Sequence, residues 1–382
     1  MPTPIDVKRP TPAGPGLALS GGGLRAMLFH LGVVERLYLS RQLDTFRELT
    51  SVSGGSILAG LLALRWPELK ASQNREVDFE ALIARPTLEI ARLDLRNRAF
   101  AKAVFGRTPI ASIAELLDEH LFKDAKLRHL PDLAELRVTF NSCNLANGRR
   151  FVFNRQYAGD RVAGYTVDCA DIPIAVAVAA SAAFPVGFAP YRVSFRGPFY
   201  NWIHDDELFH QISSDDKRDV DLGDGGIFEN LGLHALTETS QTAFISNAGS
   251  VLDRQVHPPG NAVELAIRAL SIMMSRHARD LLDPAYEDPD HYTIVEISHE
   301  VPGGFARAEV DTLGALRTEL DAFSDEECTA LRWHGASVAQ MKVAPDGPPP
   351  PLLPKKPELD WAKLARGKST RLVPGFFEFW KA

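Results

Sequence analysis

Two stretches near the start of the chain share one pattern: a short apolar run, a turn of small residues, and a long apolar run at helical spacing. GLALS (16–20) leads through three glycines into LRAMLFHLGVVERLYLS, and ELTSVS (48–53) leads through Gly54 and Gly55 into ILAGLLALRW. A run that ends in a glycine turn and re-enters with three-and-four periodicity reads as a strand feeding a helix. The second helix is apolar on most sides and must be buried. Two such units in succession require a parallel pairing with helices over the sheet.

The rest of the chain extends this pattern. Residues 78–122 read as wholly helical and carry many arginines, and LRVTFNSCNL, ANG and RRFVFN read as strand, turn and strand around Asn147–Gly148. An alanine-rich helix at 174–183 is followed by an irregular, aromatic and acidic stretch to about residue 220. VDLGDGG then reads as a strand running into a turn, and TAFISN and YTIVEIS as strands flanking a helix at 261–280. The expected fold class is α/β, with a mostly parallel central sheet flanked by helices.

Composition narrows the function classes. The chain has 382 residues, a net charge of −7 and 45% hydrophobic residues, which describes a globular protein with a substantial core. An acidic balance without basic repeats or zinc spacing argues against nucleic acid as a partner. The three cysteines, Cys143, Cys169 and Cys328, are widely spaced and imply no disulfide scaffold. MPTPIDVKRPTPAGPG at the start lacks the apolar core of a secretory signal. These features give a cytoplasmic expectation. Residues 172–190 approach the length of a membrane span, but Pro173, Pro185 and Pro190 interrupt them, and a buried helix ending before Pro185 is expected instead. SSDDKRDVD (213–221) lacks the glycine and closing glutamate of a calcium loop, so neither metal nor cofactor is expected.

Three segments carry candidate chemistry. Ser53 stands where the second strand turns into its helix, within Ser51-Val52-Ser53-Gly54-Gly55, a variant of G-x-S-x-G with serine in place of the first glycine. A serine hydroxyl is a poor nucleophile. It needs a base for its proton and donors for the oxyanion formed on the attacked carbonyl. A sharp strand-to-helix turn exposes such a serine, and the helix N-terminus favours negative charge. The upstream turn LSGGGLR (19–25) aims backbone N–H groups at one point, which suits a phosphate, an oxyanion or a plain tight turn. It fails the Walker and dinucleotide patterns. Asp224, followed by Gly225 and Gly226, ends an apolar strand and is either a cleft carboxylate or a simple turn.

In order and setting, GGGLR, SVSGGS, ASAAFP (180–185) and DGG resemble the patatin-like phospholipase family over residues 16–240. The resemblance implies a catalytic dyad of Ser53 as nucleophile and Asp224 as base. It also implies an oxyanion hole from Gly21, Gly22, Gly23, Leu24 and Arg25, with Ser51, Gly54, Gly55, Gly225 and Gly226 supporting the two turns. ASAAFP matches a block that packs beside the site. Ser51 and Ala26 depart from the family's glycines, each small for small. The implied activity is hydrolysis of phospholipid or other lipid esters. Three rivals remain: a serine–aspartate–histidine esterase using a histidine beyond Asp224, an acyltransferase, and a non-catalytic lipid-binding module. His30 and His234 read as packing or helix-surface residues.

The proline-rich PDGPPPPLLPKKP divides the chain into an expected catalytic domain (16–344), a linker (345–357) and a tail (358–382). Residues 355–382 interleave lysine and arginine with Trp361, Phe376, Phe377, Phe379 and Trp380. That composition suits either peripheral contact with a membrane surface or packing onto the domain. A second such stretch is 96–107.

Overall fold

The computed structural model describes residues 14–103, 108–185, 188, 190–203, 208–213, 217–237, 240, 242–249, 261–343 and 353–365. Its strands are β1 (Gly16–Leu19), β2 (Glu48–Val52), β3 (Arg137–Asn144), β4 (Arg149–Phe153), β5 (Ala158–Asp160), β6 (Gly164–Thr166), β7 (Tyr191–Arg196), β8 (Phe199–Ile203), β9 (Leu208–Ser213), β10 (Lys217–Asp224), β11 (Ala243–Asn247) and β12 (Tyr292–Glu296). The helices in the first half are α1 (Gly23–Leu39), α2 (Gly54–Leu64), α3 (Trp66–Ala71), α4 (Arg75–Phe79), α5 (Arg85–Arg92), α6 (Leu95–Ala103) and α7 (Pro109–Leu117). After β6 come α8 (Ile174–Ser181), α9 (Leu233–Thr237), α10 (Ala262–Glu287), α11 (Arg307–Gly314), α12 (Asp325–Gln340) and α13 (Trp361–Ala365).

The centre of the sheet is the expected parallel one, in the order β12-β11-β1-β2-β3. Side chains alternate between its two faces, as a pleated strand requires. Leu17, Leu19, Phe244 and Val295 enter a large core shared with α1, α2, α7, α8 and α12. Ala18, Ile245 and Ile294 enter a smaller core with Leu231 and Leu236 near α9 and with Leu282 and Ala285 of α10. Helix α1 is buried along nearly its whole length, which explains why its sequence is apolar on more than one face.

Beyond β3 the sheet turns antiparallel through β4, β5, β6, β8 and β9, and β10 pairs with both β3 and β7. This corrects the reading of 190–220 as irregular. In β7, Val193 and Phe195 are buried while Arg192, Ser194 and Arg196 are exposed, so the period-two signal was present but masked by charge. The described residues of 78–122 are helical except at Leu93, Asp94 and Thr108. The alanine-rich helix stops at Ser181, and α10 runs past residue 280 through Pro284 to Glu287. Among the described residues no helix is long and apolar enough to cross a membrane.

The position of β10 brings two distant parts of the chain together. Strand β2 accompanies β3 as far as the pair Val52–Asn141, and β10 takes over on β3 at the next residue, with Asp224 paired to Ser142. Two strands of opposite direction therefore end facing each other along one edge of β3.

The start of the tail packs on the domain. Trp333 donates its indole N–H to Pro354 O at 2.9 Å, Trp361 meets the Phe305 ring edge-on at 4.9 Å, and Leu364 is buried. Phe376, Phe377, Phe379 and Trp380 lie outside the described residues, as do residue 344 and 345–352 of the linker. Trp361→Ala is expected to lower unfolding free energy by about 1–2 kcal/mol, since part of a large ring surface returns to water. Chemical denaturation of the purified variant measures it, and an unchanged midpoint would mean that the tail adds nothing to the core.

Candidate active site

Ser53 sits between β2 and α2 with φ 50° and ψ −122°. A non-glycine residue in this region carries backbone strain of about 1–3 kcal/mol and persists only where its surroundings hold it. Three contacts do so here. Its N–H donates to Ser181 Oγ at 2.9 Å, its carbonyl accepts the Ser56 N–H at 2.9 Å, and Ser181 Oγ donates onward to Asn141 O at 2.6 Å. Ser181 is the serine of ASAAFP, at the last turn of α8. The same segment holds the second residue of the site, because Asp224 N–H donates to Ala183 O at 2.9 Å. Sequence reasoning placed this block beside the site without seeing that it grips both residues.

Asp224 is buried, and its carboxylate accepts the Gly226 N–H at 2.7 Å. Burial pushes its pKa up from 3.8 to about 6, and the neighbouring Ser53 hydroxyl and Gly226 N–H pull it part of the way back. Among the described residues no histidine enters its hydrogen bonding. Of the histidines beyond Asp224, His291 pairs with Asp288, His299 with Tyr286 and Glu296, and His334 donates its Nε2–H to Ile297 O. His257 lies outside the described residues.

The glycine turn packs directly against the elbow. Gly23 has φ 62°, and a Cβ there would stand 1.6 Å from Thr318 O. A Cβ on Gly54, the first residue of α2, would stand 1.9 Å from Gly23 O. Only glycine at both places lets the two helix N-termini approach this closely. A Cβ on Gly21 would lie 3.2 Å from Ser53 Cβ, so the turn borders the hydroxyl. At the start of α1 the N–H groups of Gly22, Gly23 and Leu24 have no acceptor among the described residues, the usual condition of a first helical turn.

The remaining expected residues divide into those near the hydroxyl and those supporting it. Ser51 is buried on β2 and accepts a hydrogen bond from Ser56 at 3.0 Å. Gly55 lies against the backbone of Leu19 and Ser20, and Gly225 against Asn141 O. The Leu24 side chain is core. The Arg25 side chain is occupied elsewhere. Its guanidinium donates to Gly314 O (2.6 Å), Leu316 O (2.8 Å) and Ala248 O (3.0 Å), so it ties the turn to neighbouring loops rather than facing the hydroxyl.

Further neighbours were not anticipated. His30, expected to be a packing or surface residue, is fully buried and bridges Ser246 Oγ (2.7 Å) and Ser20 O (2.9 Å) under the glycine turn. Burial lowers its pKa to about 4, so it is neutral and braces the loop. Asn230 accepts the Gly21 N–H through its backbone O at 2.9 Å, and its side-chain oxygen fills the space beside Gly21 and Gly226. Its only sequence signal was its place six residues after Asp224. Met274 of α10 also reaches Gly226, its methyl 2.7 Å from where a Cβ would stand.

Chemically, the arrangement sets a serine on a strained backbone beside a buried carboxylate and a helix N-terminus. A protein-family model described as patatin-like phospholipase matches residues 17–237. Among solved structures, human GIVD cytosolic phospholipase A2 in complex with methyl gamma-linolenyl fluorophosphonate aligns over 86% of this chain and 57% of its own, with 15% identity and a TM-score of 0.48. VipD from Legionella pneumophila aligns over 88% of this chain and 67% of its own, with 13% identity and a TM-score of 0.39. The chain thus spans little more than half the length of the human protein. No curated protein matches it significantly.

The raised pKa of Asp224 has a cost that can be measured. Between the unfolded value near 3.8 and the folded value near 6 the folded state holds the extra proton, so stability falls as pH rises through this window. Above it, the buried charge costs at most about 3 kcal/mol. Asp224→Asn removes that charge and is expected to raise the thermal midpoint at pH 8 but not at pH 4. Equal shifts at both pH values would show that Asp224 is not a buried, ionising group.

Proposed function

The chain belongs to the patatin-like phospholipase family, and on that premise we propose that it hydrolyses acyl esters of lipids through Ser53 and Asp224. The observation that carries the reading is the strained Ser53 elbow held beside a buried carboxylate, Asp224, whose pKa is raised to about 6. A carboxylate with the ordinary pKa is a weak base. One near 6 is still ionised at neutral pH, yet accepts a proton more readily.

The proposed steps are these. Ser53 Oγ attacks the ester carbonyl carbon while its proton passes to Asp224. Negative charge gathers on the former carbonyl oxygen, where the N–H groups of Gly22, Gly23 and Leu24 and the N-terminal end of α1 receive it. The tetrahedral intermediate collapses, the C–O bond to the alcohol breaks, and Asp224 returns the proton to the departing alkoxide. Water then repeats the sequence on the acyl-serine, with Asp224 taking its proton, and releases the fatty acid. No histidine is required, and Arg25 acts only by holding the loop.

The substrate class, a lipid ester, follows from the family. The unit expected to carry the activity is 16–344 together with the packed strap at 353–365. A fluorophosphonate probe is expected to label the protein at Ser53, and Ser53→Ala is expected to lose both labelling and ester hydrolysis. Labelling at Ser20, Ser51 or Ser56, identified by peptide mass spectrometry, would overturn the assignment.

A further inference from the structure

The side chain of Asn230 stands between the two turns that carry the proposed chemistry. Its backbone is engaged, the carbonyl accepting the Gly21 N–H at 2.9 Å. Its carboxamide is half-buried and makes no hydrogen bond to any described residue. A carboxamide can accept two hydrogen bonds and donate two. One drawn partly out of water with none of them made points to a ligand.

The neighbouring glycines fix where that carboxamide lies. A Cβ on Gly21 would stand 2.3 Å from Asn230 Oδ1 and 3.2 Å from Ser53 Cβ. A Cβ on Gly226 would stand 2.6 Å from the same oxygen and 3.0 Å from Asp224 Oδ1. One oxygen therefore borders both the nucleophile's side chain and the base. Nδ2 points the other way, 2.8 Å from where a Cβ on Gly249 would be. Asn230 fills the space that side chains at 21, 226 and 249 would occupy, which is what lets it come this close to both.

An acceptor in this place distinguishes water from an alcohol. In the second half of the reaction a water attacks the acyl-serine and gives one proton to Asp224, and it has a second proton to donate. An alcohol competing as acyl acceptor has only one. We propose that Asn230 Oδ1 accepts a hydrogen bond from the attacking water, holds it against Asp224, and so favours hydrolysis over transfer of the acyl group to an alcohol. The water oxygen bonds to the carbonyl carbon, its first proton passes to Asp224, and the second stays on it, hydrogen-bonded to Asn230. The bond from that carbon to Ser53 Oγ then breaks, and Oγ takes the proton back from Asp224. This rests on the Ser53–Asp224 reading above and adds a third participant to its second half alone.

The test follows the two half-reactions separately in the full chain, for the wild type, Asn230→Ala and Asn230→Leu, the last of which keeps the bulk and removes the acceptor. Both variants retain the backbone carbonyl that holds Gly21, and circular dichroism checks the fold. Release of p-nitrophenol from p-nitrophenyl butyrate in a single turnover reads acylation. Decay of the butyryl-Ser53 protein, followed by intact mass spectrometry, reads deacylation. Acylation is expected to be unchanged and decay slower by about tenfold, the scale of one lost hydrogen bond. With methanol present, the ratio of methyl butyrate to butyrate is expected to rise by a similar factor. Equal slowing of both half-reactions would make Asn230 a brace for the two turns and overturn the proposal. An unchanged decay or an unchanged product ratio would overturn it as well. If the wild type forms no acyl-Ser53, the catalytic reading has failed and this inference falls with it; if acyl-Ser53 forms but the variants do not separate the steps, only this inference fails.

Discussion

Strand β3 changes partner on one edge between Asn141 and Ser142, and the site exists because of that exchange. Parallel β2 runs up to Asn141 and ends in the Ser53 elbow, while antiparallel β10 runs the opposite way and ends at Ser142 with Asp224. A wholly parallel sheet delivers its strand ends side by side. Here two ends converge along one line, which brings the Ser53 elbow and Asp224 to neighbouring positions on β3. The ASAAFP segment then closes over the junction, taking the Ser53 N–H on Ser181 Oγ and the Asp224 N–H on Ala183 O. The antiparallel half of the sheet is therefore not an appendage, since it supplies the returning strand.

Electrostatics at this junction are set as much by what is turned away as by what is present. Asp224 is raised by burial, and only two neutral donors oppose the rise. A nearby guanidinium would pull the carboxylate back toward its ordinary range and weaken it as a base. Arg25 lies in the adjacent turn, yet its charge is committed to the carbonyls of Gly314, Leu316 and Ala248. Its pull there draws α11, the Ala248 loop and the glycine turn together. The strained Ser53 backbone and the buried carboxylate both work against stability, and the deep core along α1 and α12 is what supports them.

How much of this was legible in the sequence depended on range. GLALSGGGLR and ELTSVSGGS announced strand, turn and helix locally, so the parallel centre and the place of Ser53 could be read directly. Asp224 could be picked out only beside the other motifs, because a lone Asp-Gly-Gly is a common turn. Strands β7 to β9 and the first residues of β10 were missed; in β7, charged residues on outward positions hid the alternation seen in Val193 and Phe195. Ser181, Asn141 and His30 could not be read at all. Their roles come from hydrogen bonds between residues 10 to 216 positions apart, and their own neighbourhoods are those of ordinary helix and strand residues.

The central claim is that a buried carboxylate alone takes the proton of Ser53. Its most direct test is the rate of single-turnover acylation by a soluble activated ester, followed between about pH 5 and 9, in the wild type and in Asp224→Asn. The wild-type rate should rise through one ionisation near pH 6, and Asp224→Asn should be slower by about three orders of magnitude with that ionisation gone. An ionisation that survives in Asp224→Asn and disappears on substituting a histidine would contradict the account.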